Sequence, residues 1–278
     1  MSNSFNISRF RKYLAFDLKS RWKDQRLFLI TFAILPMIFH LIYLFFAALG
    51  HDGIAALFSG IPISRPPLGF RLAIFAAAAG LFLMIFPSRT YGFLTEKAPG
   101  ADWIELPASR LEKFVSMMLV CLVIIPAVFF CGYLVSDVLV CLVDKHTGSS
   151  ILGAWLRFDN DGITNGGVKL GAKGLWFLAS GVLQTVSVFL LGALLFKKGK
   201  IAKTILALFV ISMALSALAA ATASSIDIPS ILESLAKWTE SHMDHFDFWF
   251  NFLANLYLII IVGGLGLWSW FKVKKLQH

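Results

Sequence analysis

The sequence predicts an all-α integral membrane protein, with six transmembrane helices preceded by an N-terminal amphipathic interfacial helix and with both termini cytoplasmic. Of the 278 residues, 58% are hydrophobic and 15% are charged, whereas soluble domains average about 45–50% apolar and about 25% charged residues. The apolar residues gather in uncharged runs of roughly 20 residues, the length that a helix needs to cross about 30 Å of hydrocarbon. The cationic residues collect in alternate connectors between these runs.

Six apolar runs are the predicted spans, and with their connectors they form a transmembrane domain over residues 27–272. Two runs contain prolines in their interior, Pro36 and Pro126, which membrane helices tolerate because neighbouring helices can bond the freed carbonyl groups. So few residues separate the fourth and fifth runs that these two are expected to form an antiparallel hairpin. The predicted spans are residues 27–49, 69–87, 115–135, 175–196, 201–223 and 250–271.

Lysine and arginine are distributed unequally between the two sides of this arrangement. The segment before the first span, the connectors after the second and fourth spans, and the C-terminal end hold 18 of them, against six in the remaining connectors. Because cytoplasmic connectors carry the excess of these residues, both termini are predicted to be cytoplasmic, including the tail at 273–278. The expected location is a bacterial inner membrane, and the net charge of +9 is attributed to this bias rather than to nucleic-acid binding.

Residues 1–26 form the predicted interfacial segment. If residues 5–24 are helical, five apolar side chains fall in one stripe about 120° wide and most of the cations fall on the other side. This pattern is typical of a helix that lies flat on a membrane surface, with its cations near anionic lipid headgroups. The alternative is a cytosolic tail that only sets the topology. The apolar stripe consists of Ile7, Phe10, Leu14, Leu18 and Trp22.

The connector over residues 88–114 is too long for a simple turn and has a pattern of its own. Two pairs that contain proline, at 99–100 and at 106–107, interrupt it,. Ser109, with Glu112 three residues later, forms the sequence signature of a capping box, which starts a helix. The stretches predicted ahead of the third span are a short helix around 90–97 and an amphipathic segment around 101–106.

This layout resembles the permease subunits of ATP-binding-cassette exporters of the type-2 family. In that family a polar N-terminal helix precedes six spans, and the loop after the second span ends in a run like Leu106-Pro107-Ala108-Ser109-Arg110. The acidic connector at 225–248 departs from the pattern, because such permeases often have a re-entrant hairpin there; an outer amphipathic helix over 228–238 is expected instead. The resemblance implies that the residues coupling the chain to an ATPase are Tyr91, Phe93, Glu96, Lys97, Leu106, Pro107, Ser109 and Arg110.

The resemblance also implies the partners and the source of energy. The chain contains no G-x-x-x-x-G-K-[ST] run, so Mg-ATP is expected to bind to separate ATPase subunits and not to this chain. Six spans are half of such a transporter, which implies a second permease copy or homologue. The predicted function is therefore the permease subunit of an ATP-driven exporter of an unidentified substrate, embedded in lipid, with no catalytic residue and no cofactor of its own.

Four polar residues within the predicted spans are candidates for a pathway or for helix packing. An ionisable group inside a membrane is costly unless it is paired, so its presence points to function or to a partner. Arg71 and Asp137 can pair with each other, whereas His40 and Gln184 are predicted to lie deeper. A ladder of small residues in the fifth span indicates close helix packing or a seam between two permeases. The ladder consists of Ser212, Ser216, Ala220 and Ser224.

Other kinds of site have weaker support in the sequence. Three cysteines, ten residues apart along one apolar run, are too distant for a disulfide and are interpreted as buried apolar residues,. The acidic loop at 159–162 lacks the glutamate of a calcium loop, and hydrolase motifs are absent. Two rival functions remain open, an ion-coupled secondary transporter and a non-transporting assembly protein that binds a partner through 225–248. The cysteines are Cys121, Cys131 and Cys141.

Overall fold

The computed structural model of the protein is helical, with no strand in the residues that it describes. Six of its helices are long and apolar enough to cross a membrane, so the chain is an all-α, multi-pass membrane protein. A seventh helix, α4 (Ile151–Arg157), is short. The six long helices are α1 (Ile7–Gly50), α2 (Leu68–Tyr91), α3 (Arg110–Val143), α5 (Ala172–Leu195), α6 (Lys200–Ala223) and α7 (Met243–Leu276). The described residues are 5–50, 65–96, 103, 105–144, 147–157, 172–223 and 243–276.

Helix α1 joins two segments that the sequence treats as separate. It runs for 44 residues without a break, through the predicted segment boundary at residue 26. Its first half turns polar side chains toward the bundle, with Tyr13, Asp17 and Gln25 buried. Ile7 and Trp22, from the predicted apolar stripe, are exposed. The rest of that stripe is half-buried and most of the cations of this half are exposed, so its outward face mixes apolar and charged side chains.

The connector between α2 and α3 is shorter than predicted. Helix α2 continues through the buried Pro87 to Tyr91, and a 3₁₀ turn (Gly92–Thr95) follows directly. A proline costs a helix one donor, a loss that close packing can offset. Helix α3 already begins at Arg110. The part between these two helices, residues 92–109, is called the connector from here on.

Helix α3 contains a π-helical turn just before its proline. The turn covers Val120–Ile124 and is followed by a regular helix from Ile125, with Pro126 in its first turn. Because Pro126 has no N–H to donate and its ring crowds the preceding turn, a wider turn at this point relieves the clash. The helix then continues to Val143, well beyond the predicted end of the span at residue 135.

Aromatic side chains from α1, α2 and α3 form the centre of the bundle. Phe82 of α2 is fully buried and stacks on Phe129 of α3 with 4.2 Å between ring centroids. On its other side Phe82 stacks on Phe28 of α1 at 5.4 Å. Each such pair contributes about 0.5–1.5 kcal/mol beyond the burial of its area. This core holds the three helices that carry most of the buried charge.

Helices α5 and α6 form the predicted antiparallel hairpin, which confirms that expectation. They are joined by residues 196–199, where Gly199 has a φ of +64° that favours glycine,. Their closest approach is at Gly192, since a Cβ built there would lie 1.9 Å from the Oγ1 atom of Thr204. Beyond this contact most of α6 is exposed.

Helix α7 starts earlier and ends later than the predicted span at 250–271, and it covers 34 residues. It returns to the end of the bundle where α3 begins, because the rings of Trp270 and Phe114 lie 5.2 Å apart. The amphipathic helix expected over 228–238 lies outside the described residues, as do Lys97 and Ser224.

Candidate functional site

The polar side chains of the bundle collect at its two ends. One end of the bundle contains the start of α1, the end of α2, the start of α3, the α5–α6 turn and the end of α7. This end is called the basic end. The opposite end is formed by the second half of α1, the start of α2 and the end of α3. The two ends are described separately because they hold different charged clusters.

Asp17 lies at the centre of the first cluster at the basic end. Its carboxylate is buried, and it accepts hydrogen bonds from the Tyr91 hydroxyl at 2.6 Å and the Ser116 hydroxyl at 2.9 Å. Arg21 Nε donates to the same carboxylate at 3.2 Å. The Arg21 guanidinium also lies over the Phe93 ring, 4.3 Å from its centroid. One buried charge therefore joins α1, the end of α2 and α3.

Glu112 forms the second cluster at the basic end, where α3 begins. Its carboxylate is fully buried and accepts two hydrogen bonds from Arg9 of α1, both at 2.8 Å. It also accepts from the backbone N–H groups of Asn6 and Ser109, each at 2.8 Å. The Ser109 hydroxyl accepts in return from the Glu112 backbone N–H at 3.2 Å. The capping box predicted from the sequence is confirmed. Through its bonds to Arg9, Glu112 also joins α3 to α1.

Two lysines attach the connector to the bundle at further points. Lys113 Nζ donates to the backbone carbonyl of Trp103 at 2.9 Å and lies over the same indole ring. Lys200, the first residue of α6, donates to the backbone carbonyl of Gly92. Lys200 also reaches the Glu96 carboxylate at 3.3 Å. The connector is thus fixed to α3 and α6 as well as to α1.

This packing leaves some of the residues predicted to couple the chain to an ATPase exposed and buries others. Glu96, Pro107 and Arg110 are exposed, Phe93, Leu106 and Ser109 are half-buried, and Tyr91 is fully buried. Tyr91 has no surface for a partner and instead holds Asp17. Glu105 and Leu111, which the motif did not single out, are exposed beside the others. The exposed residues Glu96, Glu105, Pro107, Arg110 and Leu111 are called the connector face.

At the opposite end Arg71 and Asp137 form a buried ion pair, as their positions in the sequence suggested. Arg71 donates through Nε to Asp137 Oδ1 at 3.1 Å and through Nη1 to the carbonyl of Ser149 at 3.0 Å. Asp137 Oδ2 accepts from the backbone N–H of Ile151 at 2.8 Å. This last bond satisfies a donor at the start of α4, so one carboxylate joins α2, α3 and α4.

His40 lies at the opposite end, which corrects the prediction that it sits in the middle of its span. Its Nε2 atom is 3.3 Å from the carboxylate of Asp144, the residue that follows the last turn of α3. Arg65 Nε reaches the same carboxylate at 2.9 Å. Gln184 is half-buried in α5 and belongs to neither cluster at this end. Three of the four polar span residues therefore serve to pack helix ends.

The charged groups of these clusters are paired within the bundle. Among the described residues no group of three or more histidine, cysteine or acidic side chains could hold a metal ion. The buried carboxylates are engaged by arginines and by hydroxyl or backbone donors. Such groups fix helices relative to one another. Sequence reasoning missed Asp17 as their centre, although its spacing of four from Arg21 was a visible signal.

No protein-family model, no curated protein and no solved structure matches the chain. The fold and the charged clusters at its two ends define a multi-pass helical membrane protein with a charged, anchored connector at one end.

Proposed function

We propose that this chain is the permease subunit of an ATP-driven exporter, and that the connector receives force from a separate ATPase. The observation that carries the proposal is the combination of six membrane-length helices with a connector that is both anchored and exposed. An inert loop between two spans needs neither property. The basic end is expected to face the cytoplasm, where ATP is available.

The anchoring contacts link the connector to α1 and α6, in addition to α2 and α3, which it joins. Glu112 ties its end to α1 through Arg9, Tyr91 ties its start to α1 through Asp17, and Lys200 ties it to α6. Breaking a buried ion pair is costly because it leaves a charge without its partner. A push on the connector face would therefore shift these helices together instead of detaching the connector from them.

Such a shift is the motion that alternating access requires. Closing of the ATPase around ATP would move the connector, and the helices would repack between two discrete arrangements that open to opposite sides. A second permease copy or homologue is proposed beside this one, because six spans alone enclose little space. The carboxylates of Asp17 and Asp137 are bonded to arginines, which favours this proposal over ion-coupled transport.

Co-purification tests the proposal. The tagged chain is co-expressed with a candidate ATP-binding-cassette ATPase from a neighbouring gene, and the complex is isolated in mild detergent. We expect Arg110→Glu and Leu111→Glu on the connector face to reduce the bound ATPase at least tenfold. Arg11→Glu is the matched control, since Arg11 is exposed on α1 at the same end but does not belong to the connector face. Failure of the wild-type chain to retain the ATPase, or equal losses in all three variants, would contradict the proposal.

A further inference from the structure

An open pocket lies at the basic end, between the last turn of α2 and the turn that joins α5 to α6. Its volume is about 390 Å³, within the range of pockets that bind small ligands. Neither of the two carboxylate clusters at this end borders it. Its lining consists of Ser88, Arg89, Lys197, Gly199, Lys200, Ile201 and Ala202.

The charge of the pocket is positive. Arg89, Lys197 and Lys200 line it, and none of the described residues in its lining is acidic. The Lys200 ammonium forms an ion pair with the Glu96 carboxylate at 3.3 Å. The Arg89 guanidinium lies over the Phe28 ring, 4.6 Å from its centroid. Both contacts hold a cationic head in place beside the pocket. The surplus of cations fits an anionic ligand.

Backbone and hydroxyl groups add neutral donors to the cations. The first backbone hydrogen bond at the start of α6 runs from Lys203 N to the Gly199 carbonyl, so the N–H groups of Ile201 and Ala202 precede it and have no carbonyl within the helix. Gly199 has no side chain with which to cap them. The Ser88 hydroxyl is buried and, within the described part of the chain, has no hydrogen-bond partner. A buried hydroxyl without a partner is costly, and because Ser88 borders the pocket, rotation about its χ1 angle would let the hydroxyl donate to an oxygen of a ligand there.

The position of the pocket decides which anion fits. It lies where two membrane-length helices meet their connecting turn, at the level expected for lipid headgroups. The next turns of α6 expose Ile205, Leu206 and Phe209. A ligand with a phosphate at one end and hydrocarbon at the other matches both surfaces at once. A free phosphate or an acidic protein would leave the apolar surface uncovered.

We infer that the pocket binds the phosphate headgroup of an anionic membrane phospholipid, whose acyl chains lie along α6. Basic pockets between membrane helices are known to hold such headgroups. Arg89 and Lys197 would supply the charge, and Ser88 with the first N–H groups of α6 would fix the phosphate oxygens. This inference does not depend on the ATPase, so it stands or fails apart from the proposed function.

Lipid retention measures the inference directly. The full-length chain is purified in neutral detergent, phosphatidylglycerol or phosphatidylcholine is titrated in, and bound lipid is counted by native mass spectrometry. We expect wild-type chain to prefer phosphatidylglycerol at one site. The double variant Arg89→Gln/Lys197→Gln should lose about 20- to 30-fold in affinity, since each cation near the surface contributes about 1 kcal/mol. Lys274→Gln/Lys275→Gln, which changes the same charge on exposed residues of α7 at the same end, should bind as wild type.

A second variant tests the hydroxyl without changing the charge. Ser88→Ala removes a buried, unpartnered group, so the lipid-free protein should be at least as stable as wild type while its affinity for phosphatidylglycerol falls severalfold. Equal losses in the two double variants would show non-specific attraction and overturn the inference. So would equal binding of phosphatidylcholine, or full displacement of the lipid by millimolar inorganic phosphate, which would identify the ligand as free phosphate.

Discussion

Asp17 and Asp137 show how single residues hold this bundle together. Each carboxylate is 2% exposed, and each accepts hydrogen bonds from an arginine and from neutral donors. A buried charge is tolerated only when its cation and its remaining lone pairs are satisfied. Because the neutral donors come from other helices, each residue fixes the position of several elements at once.

The Tyr91 hydroxyl tests the cluster around Asp17. Tyr91→Phe removes one of the donors of that carboxylate while keeping the ring in place, so we expect a loss of about 1 kcal/mol of stability. The measurement is the midpoint of thermal unfolding of the purified protein in detergent. Tyr257→Phe is the control, because Tyr257 is more than half exposed on α7. An unchanged midpoint for Tyr91→Phe would show that the hydrogen bond to Asp17 contributes nothing.

Asp137 makes a stronger prediction at the opposite end. Asp137→Asn leaves Arg71 buried without its counter-ion and should destabilise the protein by about 3 kcal/mol, the lower part of the range for a broken buried pair. Arg71 keeps its bond to the Ser149 carbonyl, which limits the loss. Asp24→Asn removes an exposed partner 4.0 Å from Arg21 and should change little. Similar small shifts in the two variants would contradict the role given to Asp137.

At the scale of elements, the α5–α6 hairpin depends on one small residue. A Cβ at Gly192 would lie 2.9 Å from the Cβ and Cγ2 atoms of Thr204, as well as against its hydroxyl. Helices in lipid associate through close packing of this kind, because burial against lipid tails gains no hydrophobic free energy. The two helices would have to separate to make room for a methyl group.

Two alanine substitutions in α5 distinguish this packing from helix propensity. A methyl group added at Gly181 would meet no described atom within 4 Å, so Gly181→Ala should stabilise the helix by up to about 1 kcal/mol. Gly192→Ala should instead destabilise the protein by about 1–3 kcal/mol through overpacking. Thermal unfolding of both variants, followed by helical circular dichroism, measures the difference. A stabilising Gly192→Ala would show that the hairpin is looser than described.

The elements themselves were largely predictable from sequence, whereas their ends and inward faces were not. Uncharged apolar runs identify spans because length and charge alone decide whether a helix crosses lipid. The sequence suggested segment boundaries at Pro87 and at residue 26. Packing overrides both, since α2 continues through Pro87 and α1 continues through residue 26. The inward position of Asp17 could not be predicted from sequence, because hydrophobic periodicity indicates which face of a helix is apolar. It does not indicate which polar groups meet across helices. The capping box at Ser109 was predictable because its two partners lie three residues apart.

At the scale of the whole molecule, the two ends of the bundle differ in whether their charged groups are paired internally or left exposed. At the opposite end the charged side chains pair within the bundle: Arg71 pairs with Asp137, and Asp144 is also in an ion pair. The basic end buries two carboxylates yet leaves the connector face and a cationic pocket open. The distribution of lysine and arginine predicts that this open end faces the cytoplasm. The proposed coupling to an ATPase depends on that orientation.

Cysteine labelling in intact cells tests the orientation most directly. In a chain whose three native cysteines are replaced by alanine, Lys198→Cys places a thiol on the exposed α5–α6 turn, and Val143→Cys places one at the end of α3, where Val143 is 87% exposed. A membrane-impermeant maleimide added outside should modify position 143 at once and position 198 only after the membrane is permeabilised. Labelling of position 198 from outside, with position 143 protected, would reverse the orientation and contradict the proposed role of the connector.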